Sequence, residues 1–92
     1  MDKIVTVHKR ISQKHPDISD EDVIWAWERK IRCRMRVKTE PPQYVAAGFD
    51  TKGRALEMVA VYDPAAGETL VFHAMKLTES IKKELGLDRE GR

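Results

Sequence analysis

Cationic and apolar residues alternate strictly over Arg32-Cys33-Arg34-Met35-Arg36-Val37-Lys38. Successive side chains of a β-strand point to opposite faces, so this stretch predicts a strand with one cationic and one apolar face. Upstream, Ile4, Val7 and Ile11 recur at spacings of three and four, which predicts a helix over residues 3–14 that ends at His15-Pro16. A second helix is predicted to begin at Ser19. Ser19 and Asp22 form a capping-box pattern, Ile18 and Val23 a hydrophobic staple, and Val23, Trp27 and Ile31 an apolar stripe. Glu40-Pro41-Pro42 closes the basic strand. Tyr44–Asp50, Leu56–Tyr62 and Thr69–Met75 read as further strands, joined by a tight Asp50-Thr51-Lys52-Gly53 turn and a loop over 63–68. Thr78 can cap a last helix carrying Ile81 and Leu85, stopped at Gly86. The expected fold is therefore α+β: two N-terminal helices, a three- to four-stranded antiparallel meander and one C-terminal helix, with the helices against one face. A single domain is expected over 1–87, with a polar tail over 88–92.

Composition excludes more than it selects. A chain of 92 residues has room for one core, and 41% hydrophobic with 35% charged residues suits a globular domain. Cys33 is the single cysteine, so no internal disulfide is expected. No apolar run reaches the length of a membrane span, and a soluble cytoplasmic protein is the expectation. The net charge of +2 is uninformative, but its distribution is not. Arg29 to Lys38 holds six cations and no acid, while Asp17 to Glu28 holds five acids and no Lys or Arg. The guanidinium fork suits phosphate or carboxylate, which makes Arg32, Arg34, Arg36 and Lys38 a candidate binding face. Cations along an edge strand also discourage sheet-to-sheet aggregation, a non-binding reason for the same pattern.

With the strands in alternating register, the sheet face away from the helices would carry Arg32, Arg34, Arg36, Glu57 and His73. Lys52 and Arg54 would flank the hairpin rim. Cleavage of RNA without a metal needs a base for the 2′-hydroxyl, an acid for the leaving oxygen and cations for the phosphorane charge. His73 or Glu57 can serve as acid or base and arginine as stabiliser. His8, His15 and His73 lack close metal-ligand spacing, so neither a metal nor another cofactor is expected. There is also no Gly-rich phosphate loop and no Ser or Cys nucleophile motif.

Two stretches carry a resemblance. Lys14-His15-Pro16-Asp17-Ile18-Ser19-Asp20-Glu21-Asp22-Val23 is similar to a Lys-His-Gly segment leading into an acidic helix start. Gly53-Arg54, the strand Leu56–Tyr62, the Ala66-Gly67 turn, Phe72-His73-Ala74-Met75 and the helix after Thr78 follow a second pattern: Gly-Arg, strand, short turn, a strand ending in Ser-Ala-Arg, and a charged helix. Both resemble the BrnT family of bacterial toxins, small RelE-like ribonucleases encoded beside a DNA-binding antitoxin. The likeness covers roughly residues 11–87. The family's strand-end arginine falls on Met75, with Lys76 next to it, and its serine falls on His73. The resemblance implies a metal-independent endoribonuclease neutralised by a cognate antitoxin, and carries over Lys14, His15 and Arg54 as site candidates. Taken together, the expected catalytic set is Arg54, His73 and Glu57. The expected RNA contacts are Arg32, Arg34, Arg36, Lys38, Lys52, Lys76, Lys14 and His15. The alternative is a non-enzymatic module whose basic strand binds nucleic acid or an acidic partner. A homo-oligomer stays open in either case.

Overall fold

The computed structural model describes residues 4–89, and it opens with a strand rather than a helix. Strand β1 spans Ile4–Val7 and runs parallel to a later strand. The helical spacing of Ile4, Val7 and Ile11 misleads here because Ile4, Val5, Thr6 and Val7 are all β-branched. Such side chains lose rotamer freedom in a helix and pack well on a pleated surface. Only Arg10–Lys14 is helical (α1), with Ile11 buried. Helix α2, Asp20–Glu28, begins as its sequence dictates. The Asp22 backbone N–H donates to Ser19 Oγ, and the Ser19 N–H donates back to Asp22 Oδ2, both at 3.1 Å. Ile18 and Val23 are buried on either side of this cap. Trp27 is buried and Trp25 is not, as their positions round the helix require. Ile31 lies beyond the end of α2 and is exposed, so the expected stripe stops at Trp27.

Strands β2 (Arg32–Arg36), β3 (Gln43–Phe49), β4 (Ala55–Asp63) and β5 (Glu68–Lys76) form the antiparallel meander, and β1 adds to β5 on the far side. The sheet is thus five-stranded and mixed, in the order β1-β5-β4-β3-β2, in place of the expected all-antiparallel sheet of three or four strands. Helix α3, Glu79–Glu84, follows the Thr78 cap, and Leu87–Arg89 forms a 3-10 turn. Residues 90–92 of the expected tail lie outside the described residues.

The helices occupy both faces, which corrects the second part of the expectation. On one face Ile11, Val23, Ala26 and Trp27 pack over Ala46, Leu56, Met58, Ala60, Val71 and Ala74. On the other, Ile81 and Leu85 of α3 pack over Val45, Ala47 and Val59, with Phe72, Leu77 and Leu87 around them. Burying both faces of β3 and β4 explains their near-continuous apolar sequence. No helix among the described residues is long and apolar enough to cross a membrane.

Candidate functional site

Strand register puts the expected side chains on one face and then divides them. Arg34, Val45, Val59 and His73 are successive cross-strand partners, as are Arg32, Ala47, Glu57 and Met75. Directly opposed residues share a face, so the arginines, Glu57 and His73 do lie on the same side of the sheet. That side is not open: α3 sits on Val45, Ala47 and Val59, between the arginines and the histidine.

The arginine group closes the C-terminal end of α3. Arg32 Nη1 donates to the Leu85 carbonyl at 2.8 Å and Arg34 Nη1 to the Glu84 carbonyl at 2.9 Å. Carbonyls of a last helical turn lack intrahelical partners and carry partial negative charge, so cations are favoured there. Arg36 grips the Glu84 carboxylate with both Nε and Nη2 at 2.7 Å. The Arg36 hydrogen bonds hold the Glu84 carboxyl below its ordinary range, against the opposing effect of burial. Glu84→Gln is expected to destabilise the fold by about 1 kcal/mol, because the replacement amide keeps its shape but loses the charge-assisted fork. Thermal melting at pH 7 checks this. Lys38 lies in the turn after β2, exposed, and Lys76 ends β5, also exposed.

The second group is Arg54 in the β3–β4 hairpin. Its Nε donates to Asp50 Oδ2 at 2.7 Å, Nη1 to Asp17 Oδ2 at 3.0 Å, and Nη2 to the Asp17 carbonyl at 2.9 Å and Asp22 Oδ2 at 3.3 Å. Lys52 Nζ adds a contact to Asp22 at 3.2 Å. With carboxylates on every side, Arg54 is a brace between the hairpin and the start of α2 and is not presented to a phosphate. Lys14 at the end of α1 is exposed, and the half-buried His15 caps that helix's C-terminus in the loop leading to Asp17. Neither joins the face that holds His73.

The third group has the geometry of acid–base chemistry. His73 Nε2 lies 2.9 Å from Glu57 Oε2, and Glu57 Oε1 accepts from the Thr78 backbone N–H at 2.9 Å and the Thr78 hydroxyl at 2.6 Å. The same hydroxyl accepts from Ile81 N–H and so caps α3. Glu57 is buried, whereas the His73 side chain is 36% exposed, so the imidazole presents an oriented ring to solvent. Its Nδ1 has no protein partner among the described residues. A register shift at Val59/Ala60 leaves Phe72 unpaired on β5 and turns it toward the α3 core beside His73. Arg10 completes the cluster: its Nε donates to the Phe72 carbonyl at 3.0 Å and its guanidinium stands 5.5 Å from the Phe72 ring centroid. Nothing in the sequence pattern pointed to Arg10, because it reaches β5 only through the parallel β1 pairing. Thr78 was legible as a helix cap but not as the anchor of Glu57. The described residues contain no group of three or more His, Cys, Asp or Glu able to hold a metal ion. Compared with protein-family models, curated proteins and solved structures, the chain shows no match.

Proposed function

We propose that this chain is a diverged toxin of BrnT/RelE type, acting in the cytoplasm as a metal-independent endoribonuclease and neutralised by an antitoxin. The observation that carries the reading is the His73–Glu57–Thr78 chain of hydrogen bonds, in which a buried carboxylate orients a half-buried imidazole that still reaches solvent. Such an arrangement, a base aligned by a third group, is what activation of a weak nucleophile requires. His73 takes the proton of a 2′-hydroxyl, and the freed oxygen attacks the adjacent phosphorus. The bond from phosphorus to the 5′-oxygen breaks, that oxygen takes a proton from water, and a cyclic 2′,3′-phosphate remains. Arg10, hydrogen-bonded to the carbonyl of Phe72, the residue before His73 on β5, supplies positive charge to the phosphorane oxygens. Glu57 is a positioning residue.

The test is cleavage of a labelled single-stranded RNA in EDTA. His73→Ala is expected to slow it by roughly a hundred- to ten-thousand-fold, the usual contribution of one general base. Glu57→Gln is expected to lower kcat with KM little changed, because the ring of His73 loses the carboxylate that orients it while the RNA contacts stay in place. Arg10→Gln is expected to lower the rate with the pH profile unchanged. Equal cleavage by all variants, or none by the wild type, would refute the assignment. A second reading, a non-enzymatic module whose basic strand takes an acidic partner or nucleic acid, is favoured by Arg32 and Arg34. Both are exposed and donate to backbone carbonyls, so neither charge is cancelled by a bonded carboxylate.

A further inference from the structure

Strand β2 ends the sheet, and its outer backbone edge pairs with no strand among the described residues. Its two faces are chemically opposite. Arg32, Arg34 and Arg36 point to the α3 side, and Cys33 and Met35 to the other, opposite Ala46 and Tyr44. The apolar side is open: Met35 is 46% exposed, and along the chain Ile31 and Val37 are 55% and 71% exposed. A solvent-facing run of this kind beside an unpaired strand edge is a template for another strand.

We infer that β2 is a docking edge for an extended segment of a partner protein in which acidic and apolar residues alternate, added alongside β2 to the sheet. The inference rests on the second reading above and names the chemistry of its partner. Ladder hydrogen bonds supply the attraction common to all strand addition, and the alternating side chains supply the selectivity. Carboxylates at every second position lie against Arg32 and Arg34, whose charge no bonded carboxylate cancels, and apolar residues between them lie against Cys33 and Met35. Opposite charges directly across a ladder are favourable and like charges are not. A second copy of this chain is therefore the wrong occupant. Any register that sets apolar against apolar in a β2–β2 pair also sets arginine against arginine. A phosphate backbone would engage the arginines but neither the unpaired ladder groups nor the open apolar side.

The experiment uses the full chain and three short synthetic peptides of equal length. One alternates Glu and Val, one has the same composition with the Glu and Val residues in two blocks, and one alternates Lys and Val. Titration calorimetry reads affinity, and amide hydrogen exchange reads protection over residues 32–36. The alternating acidic peptide is expected to bind roughly tenfold more tightly than the blocked one and to slow exchange along β2, with no binding of the Lys peptide. Arg34→Glu, checked for an unchanged circular-dichroism spectrum, is expected to weaken the acidic peptide and admit the Lys one. The peptide series on the wild type stands alone should that variant fail to fold. Equal binding of alternating and blocked peptides would overturn strand addition while leaving the acidic-partner reading intact. Binding of a labelled single-stranded RNA but of neither acidic peptide would overturn the inference in favour of nucleic acid. Binding of none of these ligands would remove both the inference and the reading beneath it.

Discussion

Gly48→Ala is expected to cost at least about 3 kcal/mol, the upper range for forcing an extra methyl into a packed interface. For a domain of this size that lowers the melting midpoint by roughly 12–24 °C. A Cβ at this position would stand 2.4 Å from the Ala26 carbonyl oxygen and 3.2 Å from Lys30 Cα. All the crowded atoms are backbone, so no side chain can swing aside. Helix α2 would have to lift from β3 by about 1 Å to restore ordinary contact. A gap of that size forfeits a quarter to a half of each dispersion contact along the interface, and α2 contributes Val23, Ala26 and Trp27 to the core. Gly53→Ala is the control. Gly53 has φ +78° and nothing within 4 Å of its added Cβ. Its cost is the left-handed backbone alone, about 1–2 kcal/mol. Thermal or urea unfolding of the two variants separates close approach from backbone conformation. A Gly48→Ala protein as stable as Gly53→Ala would mean that α2 does not pack as closely on β3 as described.

Close approach at Gly48 shows which part of the fold was hidden in the sequence. A glycine inside a strand pattern announces either a bend or a near neighbour, and the neighbour here comes from a helix more than twenty positions earlier. Local signals were legible where local physics decides. The Ser19 cap is reciprocal and complete within four residues, and strand alternation placed Arg34, Glu57 and His73 on one face as the pairing has them. The signals failed where tertiary placement decides. Ile4, Val7 and Ile11 fit a helical stripe, and the β-branched run that favours a strand over residues 4–7 finds its partner only at the free edge of β5. Ile81 and Leu85 show that α3 has an apolar side without saying which sheet face it covers. Placing α3 on the arginine face made Arg32 and Arg34 donors to the end of that helix, and split His73 from the cations expected to assist it. Arg10, absent from the sequence-based site, reaches that strand through the carbonyl of Phe72.

Asp22→Ala is expected to destabilise the protein by about 1.5–3 kcal/mol, the range for losing hydrogen bonds to a charged group. Asp22 and Asp50 are both buried, and their carboxylates converge on Arg54. Asp22 also accepts from the Thr51 hydroxyl at 2.6 Å and from the Ser19 backbone, so its loss removes half of the reciprocal α2 cap and unties the hairpin together. Burial by itself would raise the pKa of both carboxyls. The Thr51, Ser19 and Lys52 bonds outweigh it at Asp22, and bonds from Arg54 and the Lys52 backbone outweigh it at Asp50, so both end below the ordinary aspartate value of 3.8. The sign of the pH dependence follows. Groups whose folded pKa is depressed contribute stability that is complete above the unfolded value and is lost as protons bind below it. The wild-type melting midpoint is therefore expected to stay level from pH 7 to about 5 and to fall steeply below about 4. Asp22→Ala should start from a lower midpoint and fall less over the same acid range, because one of the protons that drive the loss no longer has a site. Parallel curves for the two proteins would show that Asp22 is not held ionised by this network.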